Sequence, residues 1–176
     1  FVGVVSAAAS AQELRIGFMN TLTGGGAVIG KHMDNGWKLG LDHQGWKKDG
    51  DPLGGVPTRV FYGDDQAKTD VGLREVEKML KSDKVHIVAG VIWSNVMMTV
   101  ARPVLDANVV LMSTNAGPSP LAGEGCSPLF ISTSWQNDDG HQAGGELMQK
   151  DGVKSAVLMV PNYQAGKDTV AGVLRA

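Results

Sequence analysis

Cysteine is nearly missing from this sequence: among 176 residues only Cys126 carries a thiol. A lone cysteine excludes an internal disulfide and any metal site built from several thiolates. An excess of either charge is missing too, since sixteen Lys and Arg stand against eighteen Asp and Glu, for a formal net charge of -2. That balance leaves no basic footprint for nucleic acid or an anionic membrane, so neither is an expected partner. No run approaches the ~20 apolar residues that a membrane-spanning helix requires. Catalytic signatures are absent as well. There is no Gly-x-Ser-x-Gly elbow and no His-Glu-x-x-His pair, and Gly166-Lys167 is followed by Asp168 rather than by the hydroxyl residue of a phosphate-binding loop. The histidines His32, His43, His86 and His141 are scattered, and His86 falls in a predicted core strand, where a hydrogen-bonded structural role is expected. Asp64-Asp65 are expected to be solvated turn residues rather than metal ligands. Neither an enzyme activity nor a cofactor or metal is expected.

What is present is an alternation of short apolar strands with amphipathic helices. Leu14 to Met19 predicts a strand, and Asn20 to Gly30 a loop rich in Gly and Thr. Met33, Trp37 and Leu41 recur every fourth residue from Lys31 to Gln44, a helical stripe, with Gly36 and Gly40 beside it to let the helix lie close on a sheet. Thr58 to Tyr62 reads as a second strand. A helix opening at Thr69 or Asp70 carries Leu73, Val76 and Leu80 inward, ahead of a strand from Val85 to Ala89. Val96 to Ala107 forms a further helix despite Pro103, and Val109 to Met112 a strand apolar enough to be buried on both faces. Beyond a Pro- and Gly-rich loop come strands at Leu129 to Ser132 and Ser155 to Val160, and helices over Asp138 to Lys150 and from Ala165. The fold class is α/β with a doubly wound parallel sheet.

The first residues are small and apolar and end in Ala9-Ser10-Ala11, the small-x-small pattern of a signal-peptidase site ahead of Gln12. Residues 1–11 are expected to be the remnant of an export signal, and residence in the periplasm or at the cell surface follows. In such a compartment Cys126 is either a buried thiol or the partner of a cysteine in sequence not present here.

Open α/β sheets bind ligands at the carboxyl ends of their strands. Trp93-Ser94-Asn95 follows the third long strand and opens a helix, so a hydroxyl, unpaired backbone N–H groups and the positive end of a helix dipole converge there. That combination suits a carboxylate. Asn115-Ala116-Gly117 follows the next strand with side chains small enough to leave backbone N–H groups accessible, and Trp135 and Tyr163 add aromatic surface in later loops. Gly24, Gly26 and Gly30 also invite a dinucleotide-binding reading, hence a nucleotide-cofactor oxidoreductase domain as the alternative. The spacing fits poorly: Asn20 to Thr23 intervene between strand and first glycine, and no acidic residue closes the second strand at the required distance.

Several segments together resemble the Leu/Ile/Val-binding-protein family, the type I periplasmic solute-binding proteins of ABC importers. The resemblance rests on Ile16-Gly17 with the loop from Thr23 to Gly30, on Asp64-Asp65, on Gly90 to Asn95, on Met112 to Ser119, and on Asn162-Tyr163-x-x-Gly166-Lys167-Asp168. Ser134-Trp135-Gln136-Asn137-Asp138 and Pro161-Asn162-Tyr163 are similar to a branch associated with aromatic acids. The resemblance implies two α/β lobes that close on a ligand between them, an ABC permease as partner, and a monomer when complete. It further implies that residues 12–134 are an incomplete lobe one and residues 135–176 the start of a truncated lobe two. By the same resemblance Ser94 holds the ligand carboxylate, Ala116 and Gly117 offer backbone contacts, Ile29 is an apolar residue of the first loop, and Tyr163 is an aromatic of lobe two. Pro118 stands where amino-acid binders carry a hydroxyl for the ligand ammonium, so an aromatic acid is favoured over a branched-chain amino acid. A ligand-sensing receptor domain of the same fold is the other alternative.

Overall fold

The computed structural model describes residues 13–176, so the export-signal reading of residues 1–11 lies outside the described residues. In chain order the elements are β1 (Leu14–Asn20), α1 (Ala27–His43), β2 (Pro52–Leu53), β3 (Val56–Asp64), α2 (Thr69–Lys78), β4 (Ile87–Gly90), α3 (Ser94–Asp106), β5 (Val110–Ser113), β6 (Phe130–Ser132), α4 (Asp139–Lys150) and α5 (Gln164–Arg175). The sheet runs β2-β3-β1-β4-β5-β6. Neighbours from β3 through β6 pair in parallel, and only the short edge strand β2 is antiparallel.

Alternation along the strands sends side chains to both faces of this sheet. Ile16, Phe18, Val60 and Ala89 meet Leu41 on one face, with Met33 and Trp37 of α1 packed against them. Phe18 and Trp37 stack with ring centroids 4.4 Å apart and planes 10° from parallel. On the other face Met19, Val88 and Leu111 join Val76 of α2 and Val96, Met97, Val100 and Val104 of α3. Helices therefore cover both sides, as the doubly wound pattern requires. Gly17 is where the sheet comes closest to the single π-helical turn (Met79–Asp83) that ends α2: a Cβ there would lie 2.6 Å from Met79 Sδ.

From β1 the chain winds to β3 on one side, then crosses through α2 to β4 on the other. The order reverses between β1 and β4, which opens a crevice beyond their carboxyl ends. Farther along, α4 packs on α5 and α5 reaches α3. Gly172 permits the first contact, since a Cβ on it would stand 2.5 Å from the Asp138 carbonyl oxygen.

Several expectations are corrected. The loop after β1 is shorter than predicted, because α1 starts at Ala27. Open space adjoins Gly36 and Gly40, and the close approach belongs instead to Gly30, where a Cβ would be 1.6 Å from the Thr21 carbonyl oxygen. Residues 155–160 form no strand, and Val157 and Met159 are 94% and 95% exposed. A strand needs a neighbour for its N–H and C=O groups, and no described segment lies alongside this one. His86 is exposed rather than in the core, although its Nδ1 does accept a hydrogen bond from the Arg15 N–H at 3.2 Å. Cys126 is exposed, which removes the buried-thiol reading. Asp65 is fully buried, not solvated; its Oδ1 accepts from Thr21 Oγ1 and from the Ala67 N–H.

Candidate functional site

The site starts from an unusual turn. At the end of β4, Gly90 takes φ +108, and a Cβ there would fall 2.1 Å from the Met19 carbonyl oxygen. Val91 follows with φ +66, a conformation that costs a residue with a branched Cβ on the order of 1–3 kcal/mol. It is held because Val91 is fully buried, its N–H donates to the Met19 carbonyl at 2.8 Å, and its own carbonyl accepts from the Ala116 N–H at 3.2 Å. The turn delivers Trp93 in extended conformation as the N-cap of α3, with Ser94 as first helical residue. The first backbone bond of the helix runs from the Met97 N–H to the Trp93 carbonyl, so the N–H groups of Ser94, Asn95 and Val96 precede the helical ladder, and no side chain caps them. Partial positive charge gathers there.

Ser94 is 3% exposed, and its Oγ accepts a hydrogen bond from Asn137 Nδ2 at 3.0 Å. The same nitrogen donates to Asp168 Oδ2 at 2.9 Å. Gln164 Nε2 and the Ser119 N–H also donate to the Asp168 carboxylate, at 2.8 and 3.2 Å. Asp138 is braced nearby: burial alone would raise its carboxyl, but hydrogen bonds from Ser119, Gln136 and Arg175 prevail and hold it down at about 2. Trp93 backs the site, its Nε1 donating to Thr21 Oγ1 at 2.9 Å and its ring meeting Tyr163 edge to face at 6.2 Å. Burial pushes the Tyr163 hydroxyl pKa up, and the Asp168 charge adds to that. The resulting cleft encloses about 240 Å3 and is lined by Ser94, Asn115 and Ala116 from the ends of β4 and β5 and by Trp135, Asn137 and Tyr163 from later segments, among others. Chemically it offers a hydroxyl and a helix N-terminus at one end and aromatic surface beside them.

Of the residues expected from sequence, the cleft brings together Ser94, Asn115, Ala116, Trp135 and Tyr163. Trp93 stands behind Tyr163, and Asn95 is the half-buried second residue of α3. Gly117 lies in an adjoining cleft with Pro118, on the far side of Trp135. Ile29 is corrected: it belongs to the first turn of α1, is 46% exposed, and is not among the lining residues. The expectation of accessible backbone N–H groups is corrected at Ala116, whose N–H is taken by Val91. Two of the three glycines proposed for a dinucleotide are occupied by the protein itself, for a Cβ on Gly26 would be 2.6 Å from the Trp93 ring and one on Gly30 would strike Thr21. Sequence reasoning missed Asn137, His141, Thr169 and Asp168. Asn137 and Asp168 were within reach, since they sit in the Ser134 to Asp138 and Asn162 to Asp168 motifs; His141 and Thr169 become visible only once α4 and α5 are folded against α3.

A sequence profile described as periplasmic binding protein matches residues 13–176. No curated protein matches the sequence. Among solved structures, a solute-binding protein of an R. palustris ABC transporter in complex with benzoate superposes with a TM-score of 0.82 at 26% identity, over 93% of this chain and 44% of that one. A solute-binding protein from Rhodopseudomonas palustris BisB5 in complex with 3,4-dihydroxybenzoic acid gives 0.81 at 26% identity, over 93% and 43%. The branched-chain amino acid transporter substrate-binding protein of Streptococcus pneumoniae, in complex with isoleucine, gives 0.75 at 21% identity, over 93% and 46%. The chain thus spans less than half the length of these structures, and it shares with them the type I periplasmic-binding-protein fold. On the profile match and the fold together, this chain belongs to the periplasmic binding protein family.

Proposed function

We propose that this chain is the ligand-gripping part of an extracytoplasmic solute-binding subunit of an ABC importer, and that it captures a small organic carboxylate, an aromatic acid in preference to a branched-chain amino acid. Residues 12–134 contribute lobe one and residues 135–176 begin lobe two, with the ligand between them. The observation that carries this reading is Ser94, a buried hydroxyl at the uncapped N-terminus of α3 facing a cleft with aromatic walls. A carboxylate docked there receives charge-assisted hydrogen bonds that offset its lost hydration, while Trp135 and Tyr163 bury an apolar body.

What an α-ammonium would meet among the described residues supports this choice of ligand class. Among the described residues no carboxylate lines the cleft, and Asp168 behind it already accepts three hydrogen bonds. Pro118, in the adjoining cleft, supplies neither hydroxyl nor N–H. The benzoate and dihydroxybenzoate complexes of the two 26% identical proteins support the same choice. An ABC permease is the proposed partner, the periplasm the proposed location, and a monomer the proposed state of the complete protein. The mechanism is closure, in which a bound acid bridges the two walls of the cleft and holds them together for recognition at the membrane.

The test is calorimetric titration of the complete protein with benzoate, 4-hydroxybenzoate, isoleucine and NADH. Binding of the two benzoates with a Kd near or below about 1 µM is expected, equivalent to about -8 kcal/mol. Isoleucine as the tightest ligand would overturn the ligand class, and NADH as the sole ligand would overturn the transport reading.

A further inference from the structure

We infer that Asp168 is a positioning residue that fixes the hydrogen-bonding polarity of Ser94, and thereby selects an acceptor-only anion over its neutral amide. The inference rests on the functional reading above and extends it to a residue with no place among the cleft-lining side chains.

The chemistry begins with a side chain that can only accept. An ionised carboxylate has no proton to give, whereas an Asn amide carries two N–H bonds at one end and a carbonyl oxygen at the other. Asn137 lies 2.9 Å from Asp168 Oδ2, so its nitrogen must face the carboxylate; the flipped amide would set two oxygens against each other. With one N–H given to Asp168, the second reaches Ser94 Oγ at 3.0 Å. Ser94 therefore receives a hydrogen bond, and no acceptor for its own O–H is found among the described residues. That proton is left for the ligand. Beside it are the α3 N–H groups, which are donors as well. A carboxylate satisfies this set of donors with its two oxygens, whereas an amide of the same shape brings one oxygen and two further donors.

Asp168 is itself held so that it cannot turn away. It is 5% exposed, Gln164 Nε2 anchors its Oδ1, and the Ser119 N–H joins Asn137 at its Oδ2. The order of constraint thus runs from Ser119 and Gln164 to Asp168, then to Asn137, then to Ser94. Replacing Asp168 with asparagine breaks it at the decisive point. The introduced amide can present either its oxygen or its nitrogen, Asn137 is free to flip, and Ser94 can then spend its proton on the Asn137 oxygen and offer the ligand a lone pair.

The experiment is calorimetric titration of benzoate and benzamide into the complete protein, for wild type and the Asp168→Asn, Asn137→Ala and Ser94→Ala variants. The wild type is expected to prefer benzoate. In Asp168→Asn the ratio of benzoate to benzamide affinity is expected to fall about tenfold or more, the loss of one hydrogen bond to a charged group. Asn137→Ala frees Ser94 while the Asp168 carboxylate stays in place on its bonds from Gln164 and the Ser119 N–H, so the ratio is expected to fall there too, and this variant decides the matter should Asp168→Asn fail to fold. A ratio that stays at the wild-type value in folded Asp168→Asn, or in Asn137→Ala when that variant must decide, overturns the inference. If it does so while Ser94→Ala still weakens benzoate, the functional reading stands and Asp168 is only structural. If the wild type binds no benzoate, or Ser94→Ala binds it as tightly, the functional reading falls and this inference falls with it.

Discussion

Gly117 lies against the backbone of Trp135, so close that a Cβ on it would stand 1.8 Å from the Trp135 carbonyl oxygen. The Asn137 N–H donates to the Gly117 carbonyl at 2.8 Å, which joins the loop after β5 to the loop after β6 directly through main chain. Neither strand end has room for a side chain between them. Gly117→Ala must therefore push the loops apart, at a cost of about 1–3 kcal/mol by analogy with overpacked cores. Because Trp135 and Asn137 line the cleft, benzoate affinity should fall along with stability. Urea denaturation and calorimetry check the two effects separately; unchanged stability would show that the main chain yields at no cost.

Asp138 gives a prediction with a defined pH window. Its carboxyl is shifted from 3.8 in an unstructured chain to about 2 in the fold. The folded state holds the proton less tightly, so this group stabilises the fold fully above about pH 4, and the contribution is lost as pH falls through 3.8 toward 2. The shift corresponds to about 2 kcal/mol. Asp138→Asn should be less stable than wild type by that order at pH 7, with the gap closing under acid. Arg175 adds an ion pair at 2.6 Å, but its side chain is 53% exposed, so Arg175→Gln should cost well under half as much. A gap between wild type and Asp138→Asn that persists undiminished at pH 2 would exclude this account.

The order of strands and helices was legible because it depends on local periodicity. Met33, Trp37 and Leu41 form an inward stripe at helical spacing, and they pack on Phe18 and Ile16 as a doubly wound sheet demands. Helix α3 was expected from Val96 with Trp93-Ser94-Asn95 opening it, and it begins at Ser94, so the serine is its first helical residue. Ser155 to Val160 has the composition of a strand without the partner, and composition cannot report a partner. The site divides along the same line. Ser94, Asn115 and Ala116, which line one cleft, could be singled out because strand ends are marked in the sequence, whereas Asn137 and Asp168 are joined to the candidate site by bonds spanning 43 and 31 residues. Ile29 was misplaced for the same reason, since the length of the loop after β1 depends on where Gly30 meets Thr21.

Trp93 offers a test of how firmly the cleft is backed. Its Nε1 donates to Thr21 Oγ1, which in turn donates to the buried Asp65 carboxylate. Trp93→Phe keeps an aromatic edge toward Tyr163 but leaves Thr21 with one bond fewer. A loss of about 1 kcal/mol in thermal or chemical denaturation is expected, the net worth of one ordinary hydrogen bond. Loss of several kcal/mol would mean that the indole acts mainly through packing.

Tyr163 separates an apolar role from a polar one. The ring is half-buried, meets Trp93 edge to face and lines the cleft, so its chief contribution to an aromatic ligand is surface. Tyr163→Phe preserves that surface and should leave benzoate affinity within a few fold, whereas Tyr163→Ala removes it and should weaken binding about tenfold, the upper range for an aromatic pair. Burial, reinforced by the Asp168 charge, raises the pKa of the hydroxyl, so it stays neutral at neutral pH, where benzoate is ionised. Tyr163 should accordingly add no pH dependence between about pH 6 and about pH 9, so wild type and Tyr163→Phe should follow the same affinity profile there. At higher pH the unfolded chain releases this proton before the folded one does, and stability declines as pH rises past the ordinary tyrosine range. An affinity that instead falls between about pH 7 and about pH 9, and does so in wild type but not in Tyr163→Phe, would show the hydroxyl titrating against the bound anion and would assign Tyr163 a direct polar contact in place of an apolar wall.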